Sequence, residues 1–350
     1  MKVGLIGLPG SGVTTLFSLF TGRNYTDLSQ NAKSEVNLGE TKVPDTRIDE
    51  LARIFNPKKK VYATIEFADV PVELDASGSF STGTVNHLRN MDALAVVIRA
   101  FDNPAVPHLK TTVDPLRDFR SICDEALLTD LLQIEKKVER ITKEGRIKSR
   151  EGELFTRLKS QLEASQPIRD MGLTADDEKE LAGFRCFTQK PWLVLLNTDQ
   201  SGGIPIQPVV DACAAASIPC MSIQAEMERE ISELSPEEQA EFLRDIGVDA
   251  GARARFIQAA YSLLDLISFL TVGEDECRAW PVQRNSDAVT AAGKIHTDLA
   301  RGFIRAEVIS YEEFMAAGDM NRAKKAGKLR LEGKNYIVQD GDILNIRFSV

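Results

Sequence analysis

The chain has 350 residues, of which 43% are hydrophobic and 27% are charged, and its formal net charge is −9. This length predicts two or three domains with a sizeable core, and the acidic balance argues against a protein that coats nucleic acid with its whole surface. No apolar run approaches the roughly 18 residues of a membrane span, so we expect none. The five cysteines are scattered, which favours free thiols in a reducing cytosol.

The N-terminal sequence KVGLIGLPGSGVTT predicts a strand, a glycine-rich loop and a helix. Residues 2–6 are apolar and are typical of a buried strand, and the helix is expected from Thr14 to about Thr21. Strand, glycine loop and helix in this order form the context that a phosphate-binding P-loop requires.

The loop follows the P-loop pattern G-x-x-x-x-G-K-[ST] except that Val13 occupies the lysine position. In such loops backbone N–H groups bind phosphate oxygens, the lysine adds a charge, and a hydroxyl, here that of Thr14, binds Mg²⁺. Losing one charge-assisted hydrogen bond weakens binding by about 10- to 100-fold. The alternative is a tight turn without a ligand. The candidate phosphate-binding residues are Gly7, Pro9, Gly10, Ser11, Gly12, Val13, Thr14 and Thr15.

The next elements alternate between strands and helices. Residues 23–44 are polar without a clear period, so a long loop is expected there. The segment 46–55 predicts an amphipathic helix, and 62–70, 93–101 and 191–197 predict strands. The last two are almost wholly apolar, as central parallel strands are. The alternation indicates an α/β fold with a doubly wound, mainly parallel sheet.

Two predicted strand ends carry polar residues that suit metal and base contacts. Asp69 is a candidate second Mg²⁺ ligand in a D-x-x-G pattern, although Val72 replaces the glycine. The segment LLNTDQSG suits a base-recognition loop, but Gln200 holds the acid position and does not support guanine specificity. An ordinary turn is the alternative at each place. The candidate base-binding residues are Asn197, Asp199, Gln200, Gln224 and Ala225.

Residues 117–187 predict a two-helix hairpin inserted in the α/β domain. Apolar side chains recur at spacings of three and four among charged residues, and Gly145 interrupts them. The alternative is that both helices pack on the main core. The two apolar seams consist of Leu127, Leu131, Ile134, Val138 and Ile141, and of Leu154, Leu158 and Leu162.

From about residue 270, short strands around a helix at 311–317 predict a small β-rich module. The stretch 321–336 within it is basic in an otherwise acidic chain. Such a stripe is the electrostatic footprint of contacts to RNA phosphates, and a solvated surface is the alternative. The candidate residues for a ribosome or RNA patch are Arg322, Lys324, Lys325, Lys328 and Arg330.

Together these segments resemble the YchF / Obg-like ATPase family of translation-associated P-loop NTPases. The resemblance implies a P-loop G domain at 1–120 and 188–268, an inserted helical coiled-coil arm at 121–187, and a β-grasp-like TGS domain at 269–350. The residues that carry it lie at 291–314 and 324–350 above all, and also at 43–59, 96–103, 236–247 and 278–282.

The resemblance also implies Mg²⁺-dependent binding of ATP in preference to GTP, with Thr14 and Asp69 at the metal, and association with ribosomes. The chain departs from the family at Val13, Val72 and Gln200, where the chemistry of the family lies.

Lys33, which aligns roughly with a family threonine, is a candidate substitute cation, and Arg23 is the other nearby choice. We expect a cytoplasmic monomer that binds ATP and/or GTP with weakened or lost hydrolysis. The alternative is a non-hydrolysing pseudo-GTPase that serves as a scaffold for a ribosome, RNA or protein through its TGS domain and arm.

Overall fold

The computed structural model describes residues 1–24, 36–75, 78–232, 234–245 and 251–349 of a mixed α/β protein. The strands are β1 (Lys2–Ile6), β2 (Asn37–Lys42), β3 (Lys59–Val61), β4 (Thr64–Asp69), β5 (Ala93–Ala100), β6 (Trp192–Thr198), β7 (Cys220–Ile223), β8 (Leu266–Thr271), β9 (Glu276–Gln283), β10 (Phe303–Ser310), β11 (Arg330–Glu332) and β12 (Asp342–Phe348). The α-helices are α1 (Val13–Thr21), α2 (Thr46–Phe55), α3 (Thr82–Arg89), α4 (Pro115–Lys143), α5 (Arg150–Glu163), α6 (Ala175–Leu181), α7 (Gln207–Ala215), α8 (Ala225–Ser232), α9 (Pro236–Asp245), α10 (Ala252–Leu263), α11 (Ala288–Ile295), α12 (Thr297–Arg301), α13 (Tyr311–Ala317) and α14 (Met320–Lys325).

Six of the described strands form a mainly parallel sheet in the order β2-β4-β1-β5-β6-β7. All pairings from β4 to β7 are parallel. The strands β5 and β6 are buried along nearly their whole length, because the sheet is covered on both faces where they lie. The doubly wound sheet predicted from their apolar runs is confirmed.

The prediction of a long loop over about 23–44 is wrong for its last part, where β2 forms an edge strand, and residues 25–35 of that range lie outside the described residues. Its burial alternates, with Gly39 and Thr41 inward and their neighbours more exposed. A Cβ atom at Gly39 would collide with Cγ2 of Thr21 on α1, so the glycine lets the helix approach the strand. The polar composition of β2 concealed this period of two.

The predicted helical hairpin is confirmed as α4 and α5. Gly145 lies in the turn after α4 with a φ of 70°, which is a left-handed conformation that favours glycine. The start of α4 packs on the main core through Phe119, Ile122 and Ala126. The rest of α4 faces α5. The start of the arm therefore packs on the main core, and the remainder forms a separate helical hairpin. The separate core of the arm includes Ile134, Ile141, Leu154, Phe155, Leu158 and Leu162.

The C-terminal module contains a second, mixed sheet in the order β11-β10-β12-β8-β9-β3. Its β10–β12 and β8–β9 pairings are antiparallel, and β12 runs parallel to β8. The helix α11 packs the small side chains Ala288, Ala291 and Ala292 against this sheet, where they join Phe269 and Val308. The predicted β-rich module and its helix at 311–317 are confirmed.

The chain forms two compact units, Met1–Gly39 with Glu66–Arg253, and Glu40–Ile65 with Ala254–Val350. The domain limits given above, after residues 120, 187 and 268, stay a prediction. No helix in the described ranges is long and apolar enough to cross a membrane.

Candidate phosphate-binding site

The loop between β1 and α1 requires glycine at three positions. A Cβ atom at Gly7 would overlap Ser11 Oγ and lie 2.5 Å from the carbonyl oxygen of Val97. Gly10 and Gly12 have φ angles of 83° and 95°. These left-handed residues alternate with ordinary ones, which is the backbone pattern of anion-binding nests.

The N–H groups at the start of α1 are available to a ligand. The Ser11 N–H donates to the Leu8 carbonyl (3.0 Å), and the Leu16 N–H donates to the Gly12 carbonyl (3.0 Å). The N–H groups of residues 13–15 precede the first helical hydrogen bond and have no acceptor within the described part of the chain. The predicted cradle of backbone donors is therefore formed at a helix N-terminus, where anions are stabilised.

The cavity in front of this loop is acidic. It has a volume of about 400 Å³ and is lined by residues 7–15 and 69–73. Its charged side chains, among the residues described, are those of Asp69 and Glu73, and Val13 lies where a lysine would supply a positive charge. Lys33, the candidate substitute cation, lies outside the described residues, and Arg23 does not line the cavity. A bound polyphosphate would therefore need another source of positive charge.

Thr14 and Asp69 lie together in this cavity. Asp69 is only 5% exposed at the end of β4, and β4 pairs with β1 so that Asp69 is opposite Leu5. Burial raises the pKa of the Asp69 carboxyl, while the side chains of Thr14 and Asn37 counteract this shift by hydrogen bonding. The Asn37 amide donates to Asp69 Oδ2 at 3.4 Å. A hydroxyl and a carboxylate are the oxygen ligands that Mg²⁺ prefers.

Asn197, near the end of β6, connects the phosphate loop to the start of α8 by hydrogen bonds. Its amide nitrogen donates to the Ser11 carbonyl (3.0 Å), and its Oδ1 accepts the Ala225 N–H (3.3 Å). The side chain is 5% exposed, and a Cβ atom at Gly12 would collide with its amide nitrogen. The asparagine predicted to bind the base therefore holds the phosphate loop through its backbone.

The remaining base candidates occupy the neighbouring ends of β6 and β7. Asp199 accepts hydrogen bonds from the hydroxyl and N–H of Ser201 and the N–H of Gly202, and the Ser201 side chain is the main cause of its lowered pKa. Gln200 is exposed. The Oε1 atom of Gln224 is buried and has no hydrogen-bond partner among the described residues. Among the described base candidates, this amide therefore keeps a hydrogen-bond acceptor that is not satisfied within the chain.

Arg99 is a supporting residue that the sequence patterns did not single out. It is 2% exposed at the end of β5, and its guanidinium donates to the carbonyls of Phe101 (3.1 Å), Asn103 (3.4 Å) and Val106 (2.8 Å). A Cβ atom at Gly10 would lie 3.3 Å from Arg99 Nη1, so the guanidinium abuts the phosphate loop. The signal in the sequence was a single arginine in the apolar run ALAVVIRAF.

Replacing Arg99 with methionine is expected to lower the free energy of unfolding by about 3 kcal/mol, because the buried guanidinium and its hydrogen bonds to three carbonyls are lost. Urea unfolding monitored by circular dichroism measures this change. Arg120→Met at an exposed arginine of the same unit serves as the control. Equal stability of the two variants would contradict a supporting role for Arg99.

A buried histidine lies near the same loop. His108 Nε2 is 2.8 Å from Asp118 Oδ2, and both side chains are 3% exposed. The Lys110 N–H donates to His108 Nδ1 at 3.0 Å, which places the ring proton of a neutral His108 on Nε2. His108 and Asp118 also line a small cavity with Leu8 and Ser11. The pair thus packs behind the phosphate loop.

The basic stretch lies in the other compact unit, and part of its charge is neutralised there. Arg322 contacts Asp319 (3.1 Å), and Lys328 contacts Glu313 (3.1 Å). Arg330 lies 3.5 Å from Glu332 and 3.9 Å from Asp342. Lys324 and Lys325 are exposed and form no salt bridge to any described carboxylate. Lys334 is likewise exposed without such a salt bridge, so the unpaired charges among the described residues of the stretch are Lys324, Lys325 and Lys334.

Comparison with known proteins gives relatives along the whole chain. The profile of the YchF-GTPase_C family, described as a protein of unknown function, matches residues 266–349. The "Ribosome-binding ATPase YchF" of Bacillus subtilis (strain 168) is 35% identical over 100% of both chains. The protein of the same name in Haemophilus influenzae is 36% identical over 100% of this chain and 99% of its own.

Solved structures agree with these relatives. The structure of the Schizosaccharomyces pombe YchF GTPase is 26% identical with a TM-score of 0.88, covering 99% of this chain and 97% of its own. A GTP-binding protein from Pyrococcus horikoshii OT3, 19% identical with a TM-score of 0.60, shares the fold over 100% of both chains. Identity above 30% along the full length, together with this structural match, shows that the chain belongs to the YchF family.

Proposed function

We propose that this chain is a ribosome-associated protein that binds ATP and/or GTP together with Mg²⁺ and hydrolyses it weakly or not at all. The single observation that carries the proposal is a complete backbone cradle at the N-terminus of α1 combined with Val13 in place of the P-loop lysine. The cradle supplies binding to phosphate oxygens. The missing charge removes stabilisation from the transferring phosphoryl group.

The residues present fit a magnesium ion. The Thr14 hydroxyl and the Asp69 carboxylate supply oxygen ligands next to the phosphate cradle, and Mg²⁺ is bound by few protein ligands plus substrate phosphates. When bound, the ion neutralises phosphate charge. Asn37 orients the Asp69 carboxylate through its amide, and Asn197 holds the loop through the Ser11 carbonyl. These contacts support binding without a lysine.

The preference for adenine over guanine is proposed from Gln200, which holds the position of a guanine-binding acid. Gln200 cannot accept two hydrogen bonds from guanine as a carboxylate does. The Gln224 amide, whose Oε1 is unsatisfied among the described residues, can both donate and accept, so it suits the polar edge of either purine. The names of the relatives, which are called ribosome-binding ATPases, also support a preference for ATP.

Removing magnesium tests the proposal most simply. With two acids and no cation in the described lining of the cavity, chelation by EDTA is expected to weaken nucleotide binding by more than about tenfold. Calorimetric titration of ATP, ADP and GTP with and without Mg²⁺ measures the change. In a Val13→Lys variant the dependence on Mg²⁺ is expected to shrink, because the lysine supplies charge without the metal. An affinity unaffected by EDTA would contradict the proposed role of the ion.

The acidic lining of the cavity favours a second candidate function, a non-hydrolysing scaffold that docks on a ribosome, RNA or protein. Asp69 and Glu73 repel free polyphosphate, and the unpaired lysines Lys324 and Lys325 suit phosphate contacts. Ribosome association of the chain is proposed from the names of its relatives. Co-sedimentation with ribosomes and no calorimetric heat with any nucleotide would select the scaffold over the nucleotide-binding protein.

A further inference from the structure

A second cavity lies at the amino ends of the parallel strands, whereas the phosphate loop lies at their carboxyl ends. It has a volume of about 600 Å³ and is lined by residues that precede β1, β5 and β6. Its walls come from the turn between α3 and β5 and from the segment 182–191, which returns from the helical arm to β6. The cavity is therefore built within one compact unit, at the base of the arm.

The lining of this cavity is strongly cationic in a chain whose net charge is negative. Four basic side chains face one acidic side chain, Asp92, and the basic residues are Lys2, Arg89, Arg185 and Lys190. Lys2 lies 3.4 Å from Glu66. The other three form no salt bridge to a carboxylate in the part of the chain that the structure describes.

The two arginines are held by neutral partners. Arg89 Nη2 donates to Gln133 Oε1 (2.8 Å), and Arg185 Nη1 donates to Asn90 Oδ1 (2.6 Å). Each guanidinium has five N–H donors, so most donors of both remain for a ligand. Arg185 has a φ of 50°, which is unusual for a residue other than glycine.

Lys190 places a buried ammonium group at the floor of the cavity. It is 9% exposed, and its ammonium donates to the carbonyls of Leu88 (2.7 Å), Arg89 (2.8 Å) and Met91 (2.5 Å) at the end of α3. Burial lowers its pKa to about 8, Asp92 opposes that shift, and the Arg185 guanidinium adds to it. An anion in the cavity would relieve the repulsion between Lys190 and Arg185.

We propose that this cavity binds a small phosphorylated anion through the guanidinium groups of Arg89 and Arg185, with Lys190 supplying charge from below. A guanidinium group matches the geometry of phosphate oxygens, and three cations without carboxylate partners among the described residues suit a multivalent anion. The volume admits a ligand larger than inorganic phosphate. The site is separate from the phosphate loop, so both can be filled at once.

The test is calorimetric titration of the full chain with inorganic pyrophosphate in EDTA. Arg89→Gln and Arg185→Gln are each expected to weaken binding by about tenfold or more, because each removes charge-assisted hydrogen bonds. Arg120→Gln, at an exposed arginine of the same unit, is the matched control and is expected to bind as the wild type does. Gly12→Ala, which removes the phosphate loop as a binding site, is expected to retain the component of pyrophosphate binding that depends on Arg89 and Arg185.

A second readout follows Lys190. The NMR signal of its ε-methylene group reports its pKa, which is expected to rise from about 8 when pyrophosphate is added. Equal affinity of the wild type and both glutamine variants would overturn the proposal, and loss of binding in Gly12→Ala alone would assign pyrophosphate to the phosphate loop. Binding of a short RNA oligonucleotide without binding of pyrophosphate would also overturn it, because recognition would then rest on an extended surface.

Discussion

Replacing Val13 with lysine is expected to raise the affinity for a magnesium nucleotide by about 10- to 100-fold and to accelerate hydrolysis. Val13 is the first residue of α1 and lines the cavity in front of the phosphate cradle. A lysine at position 13 would contact the oxygens of a phosphate that is bound by the backbone N–H groups of the loop. Its charge would be added to a lining whose described charged groups are both acidic, so the electrostatic gain is large.

Val13→Met is the matched control for that variant, because it lengthens the side chain without adding charge. Calorimetry with Mg-ATP measures the affinity, and phosphate release under saturating Mg-ATP measures turnover. Lysine is expected to increase both quantities, and methionine is expected to increase neither. Equal behaviour of the two variants would show that charge at position 13 is not what the site lacks.

Replacing Gly12 with alanine is expected to abolish nucleotide binding and to lower the free energy of unfolding by about 1–3 kcal/mol. Gly12 has a φ of 95°, and a Cβ atom there would collide with the Asn197 amide. Asn197 cannot withdraw without breaking its hydrogen bonds to the Ser11 carbonyl and the Ala225 N–H. The substitution therefore displaces the cradle as well as straining one residue.

Gly22→Ala separates these two effects. Gly22 caps the other end of α1 with a φ of 70°, and a Cβ atom there would meet no atom within 4 Å. The backbone strain is thus similar, but the phosphate loop is untouched. We expect Gly22→Ala to lower stability while nucleotide affinity stays at the wild-type level. Normal nucleotide binding by Gly12→Ala would contradict the role assigned to the contact between Gly12 and Asn197.

The loop and the arm could be predicted from the sequence because their signals are local. Glycine spacing after an apolar strand defines the cradle, and the leucine and isoleucine seams define the hairpin. The ends of β4 and β6 were found as candidate site positions because an acid or an amide follows an apolar run. In each case neighbours in sequence determine the structure.

The residues that were missed depend on neighbours distant in sequence. Arg99 lies in an apolar run, and its carbonyl partners become visible only when the loop after β5 folds back. Nothing in the sequence distinguishes Lys190 from the other lysines. Its position depends on a contact between its ammonium and the end of α3, about a hundred positions earlier in the chain. The strand β2 was missed because its inward residues, Gly39 and Thr41, are small or polar. Pairing with β4, rather than propensity, makes it a strand.

The central claim is that the phosphate site binds nucleotide but lacks the charge that drives hydrolysis. Single-turnover measurement with wild-type protein in excess over labelled Mg-ATP tests both parts together. We expect a complex that saturates with protein concentration and releases phosphate slowly, and faster release from the Val13→Lys complex. Absence of a complex at any protein concentration, or rapid release that lysine at position 13 does not accelerate, would contradict the claim.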